Sequence, residues 1–238
     1  MKLLESTWEE VDAYLKKSDI LIIPVGAIEQ HGPMAPIGTD VIAAEEVAER
    51  IGKKLSILVA PTITTGYVDP DFLRFKGTLC IRLETFCNLL EDFLVSYSKQ
   101  GFKKFVIVNT HETQRDPIKR ISERVCINNG VKILAFEYWN LLKEEFKSFI
   151  KSELIHACED EISILLETRP ELVKKDRIVD EMPLEAKLDY FIYPLPEGYA
   201  TKSGVMGIPS LATREKGKMI LDLVMEKAAV LIKKEFDA

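Results

Sequence analysis

Residues 20–26 read Ile20-Leu21-Ile22-Ile23-Pro24-Val25-Gly26, six apolar side chains in succession closed by a glycine. A strand with one wet face alternates polar and apolar residues, whereas an unbroken apolar run predicts a strand buried on both faces, as a parallel sheet requires. Three further short apolar runs follow, at residues 57–61, 105–108 and 131–136. Between them lie helical patterns over 40–51, closed by Gly52 as a stop signal, over 84–99, ending at Gly101, and over about 117–128. Upstream, Ser6-Thr7 with Glu9 and Glu10 has the form of a capping box, and Trp8, Val11 and Leu15 form the apolar stripe of a first helix, with Trp8 in the core. Beyond residue 140 the pattern loosens into helices near 141–151 and 156–168, a Pro- and Tyr-rich stretch at 189–199, a glycine loop at 204–207 and a final helix over 215–236. Strands alternating with helices predict an α/β protein, a single-domain α/β/α sandwich over residues 1–238 with a mostly parallel sheet covered by helices on both faces.

Composition narrows the function classes. With 238 residues, 47% of them hydrophobic and 29% charged, the chain has the make-up of a globular protein with one well-buried core. A formal charge of −6 argues against nucleic acid as a partner, because nonspecific binding needs a positive footprint that displaces counterions. No apolar run approaches the ~20 residues that span a bilayer, and the N-terminus opens on an amphipathic helix pattern rather than a signal peptide. A cytoplasmic protein with no membrane partner is expected. Cys80, Cys87, Cys126 and Cys158 lack any C-x-x-C pairing, so they are expected to be reduced, three of them as core fillers.

Only three histidines occur, each beside carboxylates: Glu29-Gln30-His31-Gly32-Pro33, Asn109-Thr110-His111-Glu112 and His156-Ala157-Cys158-Glu159-Asp160-Glu161. Histidine used for packing or solvated surface would be scattered. The first two motifs follow predicted strands, and in parallel sheets functional groups collect at the carboxyl ends of strands. Thr39-Asp40 comes after a loop containing Gly32, Pro33, Pro36 and Gly38, turn-forming residues that can fold it back on itself. Glu29, His31 and Asp40 can then converge on one divalent cation. The plainer reading is that Asp40 caps a helix while Glu29 and His31 make ordinary hydrogen bonds.

These residues resemble the creatininase, or creatinine amidohydrolase, family. Pro24-Val25-Gly26-Ala27-Ile28-Glu29-Gln30-His31-Gly32-Pro33-Met34-Ala35-Pro36-Ile37-Gly38-Thr39-Asp40 is similar to its opening P-V-G-x-x-E-Q-H-G-P-H-x-P-x-x-T-D block. Lys76-Gly77-Thr78-Leu79 is similar to its P-G-T-I/L turn, and residues 156–163 to its H-A-G-x-x-E-T-S helix. Residues 204–209 and 212–217 resemble its closing segments. The resemblance implies cleavage of a non-peptide C–N amide bond of a small molecule by metal-activated water. It implies Glu29, His31, Asp40 and His111 as metal ligands, with Asp40 bridging where two metals are present. The metal is expected to be Zn, Mn or Fe(II), one or two per subunit, and the protein a homo-oligomer, often a cyclic hexamer in this family.

Several departures matter. Met34 stands where the family has histidine, Cys158 where it has glycine, and Thr113 where creatininase has a metal-binding glutamate. Glu112 or Glu159 is expected to replace that carboxylate. Glu159, read as one turn beyond His156 on the same helix face, is the better candidate, as metal ligand or base, with His156 as proton donor. Exposed helix charge is the plainer reading for Glu159, and a ring satisfied by a backbone group for His156. Trp139 is a candidate wall of the substrate pocket, or packing under the sheet rim. Small archaeal relatives include a deformylase acting on a formylamino-pyrimidine ribonucleotide, to whose phosphate Arg74, Lys76 and Arg115 could bind. A relative acting on a peptide would need a more open groove. The changes at Met34 and around His111 are also compatible with a non-catalytic member that binds a metal or ligand.

Overall fold

The computed structural model describes residues 1–183, 192 and 201–236, so the Pro- and Tyr-rich stretch at 189–199 lies, except for Ile192, outside the described residues. The opening apolar run is strand β1 (Ile20–Val25), buried at every position. Beside it run β2 (Leu58–Val59), β3 (Lys104–Asn109) and β4 (Lys132–Glu137), in the order β2-β1-β3-β4 with every pairing parallel. β2 is shorter than the run at 57–61 predicts. On its β2 side β1 carries Pro24, which has no N–H for a ladder, and only the Pro24 carbonyl is used there, accepting from Ile63 N at 3.0 Å.

The alternation of β1 and β3 explains both helix layers. Leu21, Ile23, Val25, Phe105 and Ile107 face α1 (Trp8–Leu15), α3 (Leu83–Gln100) and α4 (Arg115–Asn129), packing with Tyr14, Phe86, Leu90 and Ile121. Ile20, Ile22, Val106 and Val108 face the opposite way, toward Val47 and Ile51 of α2 (Thr39–Leu55) and Ile220 and Val224 of α8 (Arg214–Phe236). Between β4 and the last helix come α5 (Tyr138–Leu141), α6 (Lys143–Phe149) and α7 (Glu159–Thr168). A smaller apolar cluster joins Ile162 and Leu165 of α7 to Val205 and Met34. Met34, standing where the family carries histidine, is fully buried there. No described helix is long and apolar enough to cross a membrane.

Several expectations are corrected. Trp8 is 78% exposed. As the first residue of α1 its side chain leans toward the N-terminus, past the end of the helix, where nothing covers it. Tyr14 supplies the buried anchor instead, its hydroxyl donating to Ile20 O at 2.7 Å. Gly52 does not stop α2, which continues to Leu55 and closes at Ser56 in the left-handed conformation, φ 56°. A Cβ on Gly52 would sit 2.5 Å from Val59 Cγ2, so this glycine admits β2 against the helix. The four cysteines are free, and only Cys158 is buried.

β1 and β3 end in register, Val25 opposite Asn109, and β4 ends with Glu137 opposite Asn109, so three motif-bearing loops leave one rim. At that rim a Cβ on Gly26 would lie 2.7 Å from the Val41 backbone. Gly26→Ala is therefore expected to push the first turn of α2 away. The loss should be about 1–3 kcal/mol, read as a lower denaturant midpoint at unchanged slope.

Candidate functional site

Two imidazoles are locked at the rim by hydrogen bonds that choose their tautomers. His111 follows β3, its backbone N–H donating to Asn109 Oδ1 at 3.2 Å while Asn109 Nδ2 donates to His111 O at 2.9 Å. Thr113 Oγ1 donates to Tyr67 O at 2.7 Å, which leaves its lone pair to accept from His111 Nε2–H at 2.8 Å. His111 Nδ1 is then the ligand atom, 3.3 Å from Glu29 Oε2 and 3.0 Å from Asp40 Oδ2. His31 is held the other way round. Its Nδ1–H donates to Glu29 O at 3.1 Å, which directs Nε2 to Asp40 Oδ1 at 3.1 Å. An imidazole whose far nitrogen donates to a fixed acceptor is oriented for metal ligation.

The carboxylates arrive from two other directions. The Gly/Pro loop folds back as expected, Glu29 N donating to Ile37 O at 2.9 Å. Asp40 lies in the first turn of α2, with Thr110 Oγ1 donating to its backbone carbonyl at 2.7 Å. Glu29, His31, Asp40 and His111 are between 0% and 6% exposed. Yet His31 Nε2 and Asp40 Oδ2 are buried and, although 3.1 Å from Asp40 Oδ1 and 3.0 Å from His111 Nδ1, make no hydrogen bond of ordinary geometry, a costly state in a folded interior. The donor set fits a divalent cation: Glu29, Asp40 and His111 offer ligand atoms all within 4.8 Å of one another.

Charge accounts for the protonation of this cluster. Burial disfavours charged imidazoles, but Glu29 and Asp40 outweigh it at His111, raising its pKa to about 10, and Asp40 and Glu161 raise His31 well above its ordinary value. Burial likewise opposes ionisation of Asp40 and Glu29, and the histidines outweigh it, holding both below the usual carboxylate range.

His156 is not on a helix. It sits in an extended segment bridged to Met206, and Cys158 caps α7. Ala157 between them is left-handed, φ 52°, a conformation that strains a residue bearing a Cβ and turns the chain sharply at the site. The His156 ring lies 4.6 Å from that of His31 and 5.2 Å from Phe72. Its Nε2 is 2.8 Å from Gln30 O, and its Nδ1 is 3.6 Å from Glu29 Oε2. A cavity of about 170 Å³ opens here, lined by Phe72, His111, Tyr138, Trp139, His156 and Asp160 among others. Trp139 combines both readings of it, lining the cavity and packing against the sheet. Asp160 accepts from Tyr138 OH at 2.8 Å and Cys158 Sγ at 3.3 Å, and burial together with the charge of Glu161 pushes its carboxyl up to about 7.

Glu159 does not join the cluster. Its Oε2 accepts from the backbone N–H groups of Lys151 and Ser152, each at 2.9 Å, and its Oε1 pairs with Lys216. Since α7 begins at Glu159, the residue does not share a helix face with His156. Glu112 is exposed and lines the cavity without entering any group of ligand atoms among the described residues. The carboxylate that does approach is Glu161, with Oε1 3.5 Å from His31 Nε2. The spacing of H-A-G-x-x-E, which puts a glutamate five residues after histidine, was the signal that could have found it. Arg74 donates to Thr201 O at 2.7 Å and Arg115 lies 3.7 Å from Glu137, and neither they nor Lys76 line the cavity.

A family model described as creatinine amidohydrolase matches residues 4–232. The chain belongs to the creatininase family. It is 27% identical to the creatinine amidohydrolase of Pseudomonas putida, over 98% of this chain and 96% of that one. It is also 31% identical to the 2-amino-5-formylamino-6-ribosylaminopyrimidin-4(3H)-one 5'-monophosphate deformylase of Methanococcus voltae, over 56% of this chain and 50% of that protein. Solved creatininases superpose over the whole chain: a manganese form with TM-score 0.89, 26% identical and covered over 99%, and a zinc–zinc form of a variant with TM-score 0.88, 25% identical and covered over 98%.

Because both imidazoles hold protons that a cation must displace, Mn2+ or Zn2+ binding is expected to release protons. Its apparent affinity should rise between pH 6 and 8, with log K climbing by about one to two per pH unit. Calorimetry in buffers of different ionisation enthalpy measures this, and a flat profile would contradict it. Glu159→Gln is expected to cost about 1–3 kcal/mol of stability by leaving Lys216 unpaired, while metal content, read by elemental analysis, stays at the wild-type value.

Proposed function

We propose that this chain is a divalent-metal-dependent hydrolase that cleaves a non-peptide C–N amide bond of a small molecule. The observation that carries this reading is the ring of buried carboxylates and imidazoles whose ligand atoms converge, with His31 Nε2 and Asp40 Oδ2 turned into it and making no hydrogen bond of ordinary geometry. Glu29, His31, Asp40 and His111 would hold the metal, and mixed carboxylate and imidazole donors suit zinc, manganese or ferrous iron. When bound, such a cation lowers the pKa of water toward neutrality and polarises a carbonyl.

The remaining chemistry falls to the chain's own groups. Burial, with Asp160 and Glu161 nearby, pushes the Cys158 thiol well above its ordinary pKa, so it is no thiolate nucleophile. His156 takes the proton role. Its Nε2 is held by Gln30, 2.8 Å from the backbone O and 2.9 Å from the side-chain Nε2, and Gln30 is itself pinned, its Nε2 donating to Gly204 O at 2.9 Å and its Oε1 accepting from Gly32 N at 2.9 Å. Nδ1 therefore exchanges with the cavity, receiving a proton from the attacking water and returning it to the leaving nitrogen. Phe72 and Trp139 offer flat walls to a planar substrate, and Asp160 offers lone pairs to its N–H groups.

Size favours a small amide. The cavity of about 170 Å³ beside the cluster has room for a small amide. Formamide hydrolysis lies within the same chemistry. Among the described residues no lysine or arginine lines the cavity to meet the phosphate of a ribonucleotide. The family resemblance supports a homo-oligomeric state, a hexamer, while length and composition support one domain over residues 1–238 and the N-terminal sequence pattern a cytoplasmic location.

A panel of cyclic amides and formamides tests the reading with Mn2+- or Zn2+-loaded protein. Turnover on at least one is expected, lost on chelation and regained on reloading. His156→Ala should lower kcat by roughly 10²–10⁴-fold while its metal content is kept. Full turnover in His156→Ala would remove the proton role, and a loaded protein inert on every amide would leave a non-catalytic binder.

A further inference from the structure

The segment Ala212-Thr213-Arg214-Glu215-Lys216-Gly217 lines no part of the cavity and supplies no ligand atom, yet it reaches the site through α7. Glu159, Ser163 and Glu167 stand four residues apart and form one stripe along that helix. The start of α8 is laid on the stripe. Thr213 N donates to Ser163 Oγ at 3.1 Å, Arg214 Nε pairs with Glu167 Oε2 at 2.8 Å, and a Cβ on Gly217 would sit 1.9 Å from Ser163 O. Lys216 pairs with Glu159 Oε1 and donates from Nζ to Leu211 O at 2.9 Å. Glu159 then reaches the other way: its Oε2 accepts from the N–H groups of Lys151 and Ser152, each at 2.9 Å, and from Ser152 Oγ at 3.0 Å.

Lys151 and Ser152 lie in the stretch 150–156, which leaves α6 without helix or strand and brings Leu154, Ile155 and His156 to the cavity wall. It is tied at either end, Ile150 N donating to Phe146 O at 2.8 Å and Met206 N to His156 O at 2.9 Å. From these placements we propose that Glu159 and Lys216 are positioning residues for His156: they hang the 150–156 wall from the seam between α7 and α8 and so fix where the proton-carrying ring stands. The Glu159 side chain is fully buried and that of Lys216 is 17% exposed, so the pair escapes the screening that leaves surface pairs weak. A carboxylate accepting from an ammonium, two amides and a hydroxyl forms charge-assisted bonds, stronger than neutral ones. Burial opposes ionisation of Glu159, and Lys216 with the Lys151 and Ser152 donors outweighs it, so the acceptor keeps its charge. The strained left-handed turn at Ala157 needs such a device, because strain of this kind persists only where the flanking chain is held on both sides. Met206 holds one side, and Glu159, two residues on, holds the other.

This inference rests on the proton role proposed for His156, and the test reads the position of the ring rather than turnover, so the two fail separately. The chain has three histidines, and long-range 1H–15N correlation spectra of the full-length protein, before and after addition of Zn2+, follow each ring. Hydrogen exchange in the same samples follows the amides of Lys151 and Ser152. Lys216→Met is expected to speed exchange of those two amides by roughly 10- to 100-fold and to move the His156 ring signals, while those of His31 and His111 stay in place. Lys216→Arg should return both readouts to wild type. Arg214→Ala, which cuts the exposed pair on the same seam, should change neither. If Lys216→Met does not fold, the double variant Glu159→Leu/Lys216→Met, which leaves no buried charge unpaired, carries the same expectation. Wild-type exchange at Lys151 and Ser152, or an unmoved His156 ring, in the folded variant overturns the assignment. Faster exchange spread through β1 and β3 with all three rings displaced overturns it too, since that is a general loss of stability. Full turnover in His156→Ala beside a loosened wall in Lys216→Met removes the proton role and leaves the positioning of the ring standing.

Discussion

Asp40 shares its two carboxylate oxygens between two buried histidines, and the surrounding architecture serves that arrangement. A buried carboxylate is tolerated only when opposite charge and hydrogen bonds offset its lost hydration. Here the offset comes from imidazoles that neighbouring acids keep protonated until a cation takes the place of those protons. The first turns of α2 and α7 each bring an acid to the rim, Asp40 and Glu161, where a helix N-terminus favours negative charge. Moving either helix by an ångström would separate ligand atoms that now lie within one coordination distance of a common centre.

That sensitivity explains why rigid packing lies directly behind the site. β1 and β3 are buried along nearly their full length and end opposite each other, so the loops carrying Glu29 and His111 start from fixed points. Gly26 brings the start of α2 into backbone contact at that same rim. Gln30 fastens the His31 loop to Gly204, and the Met206 bridge fastens His156 beside it. Residues more than a hundred positions apart are thereby held in one small volume by short, directional bonds rather than by one continuous element.

The fold and four members of the buried cluster were legible in the sequence, and the reasons differ. An apolar run cannot be a half-wet strand, so the sheet followed from β1 and its repeats. The motif order E-x-H, Asp after a Gly/Pro loop, and histidine after a strand named the residues that the rim brings together. Glu159 was misread because the boundary of α7 fell three residues later than the pattern implied. With His156 off the helix, the face argument no longer applied, and Glu159 became the buried partner of Lys216. Trp8 was misread because helical spacing ignores the end of a helix, where a side chain leans outward. The part played by Tyr138 and Phe72 was invisible, since neither lies in a chemically loaded motif and only the folded loops bring them to the cavity.

The central claim is that metal ions sit within this buried ring. Anomalous diffraction from crystals of Mn2+-loaded protein, recorded at the manganese edge, tests it most directly. The account predicts anomalous density enclosed by Glu29, His31, Asp40 and His111. Ordered side chains in the present arrangement with no anomalous density between them would contradict it.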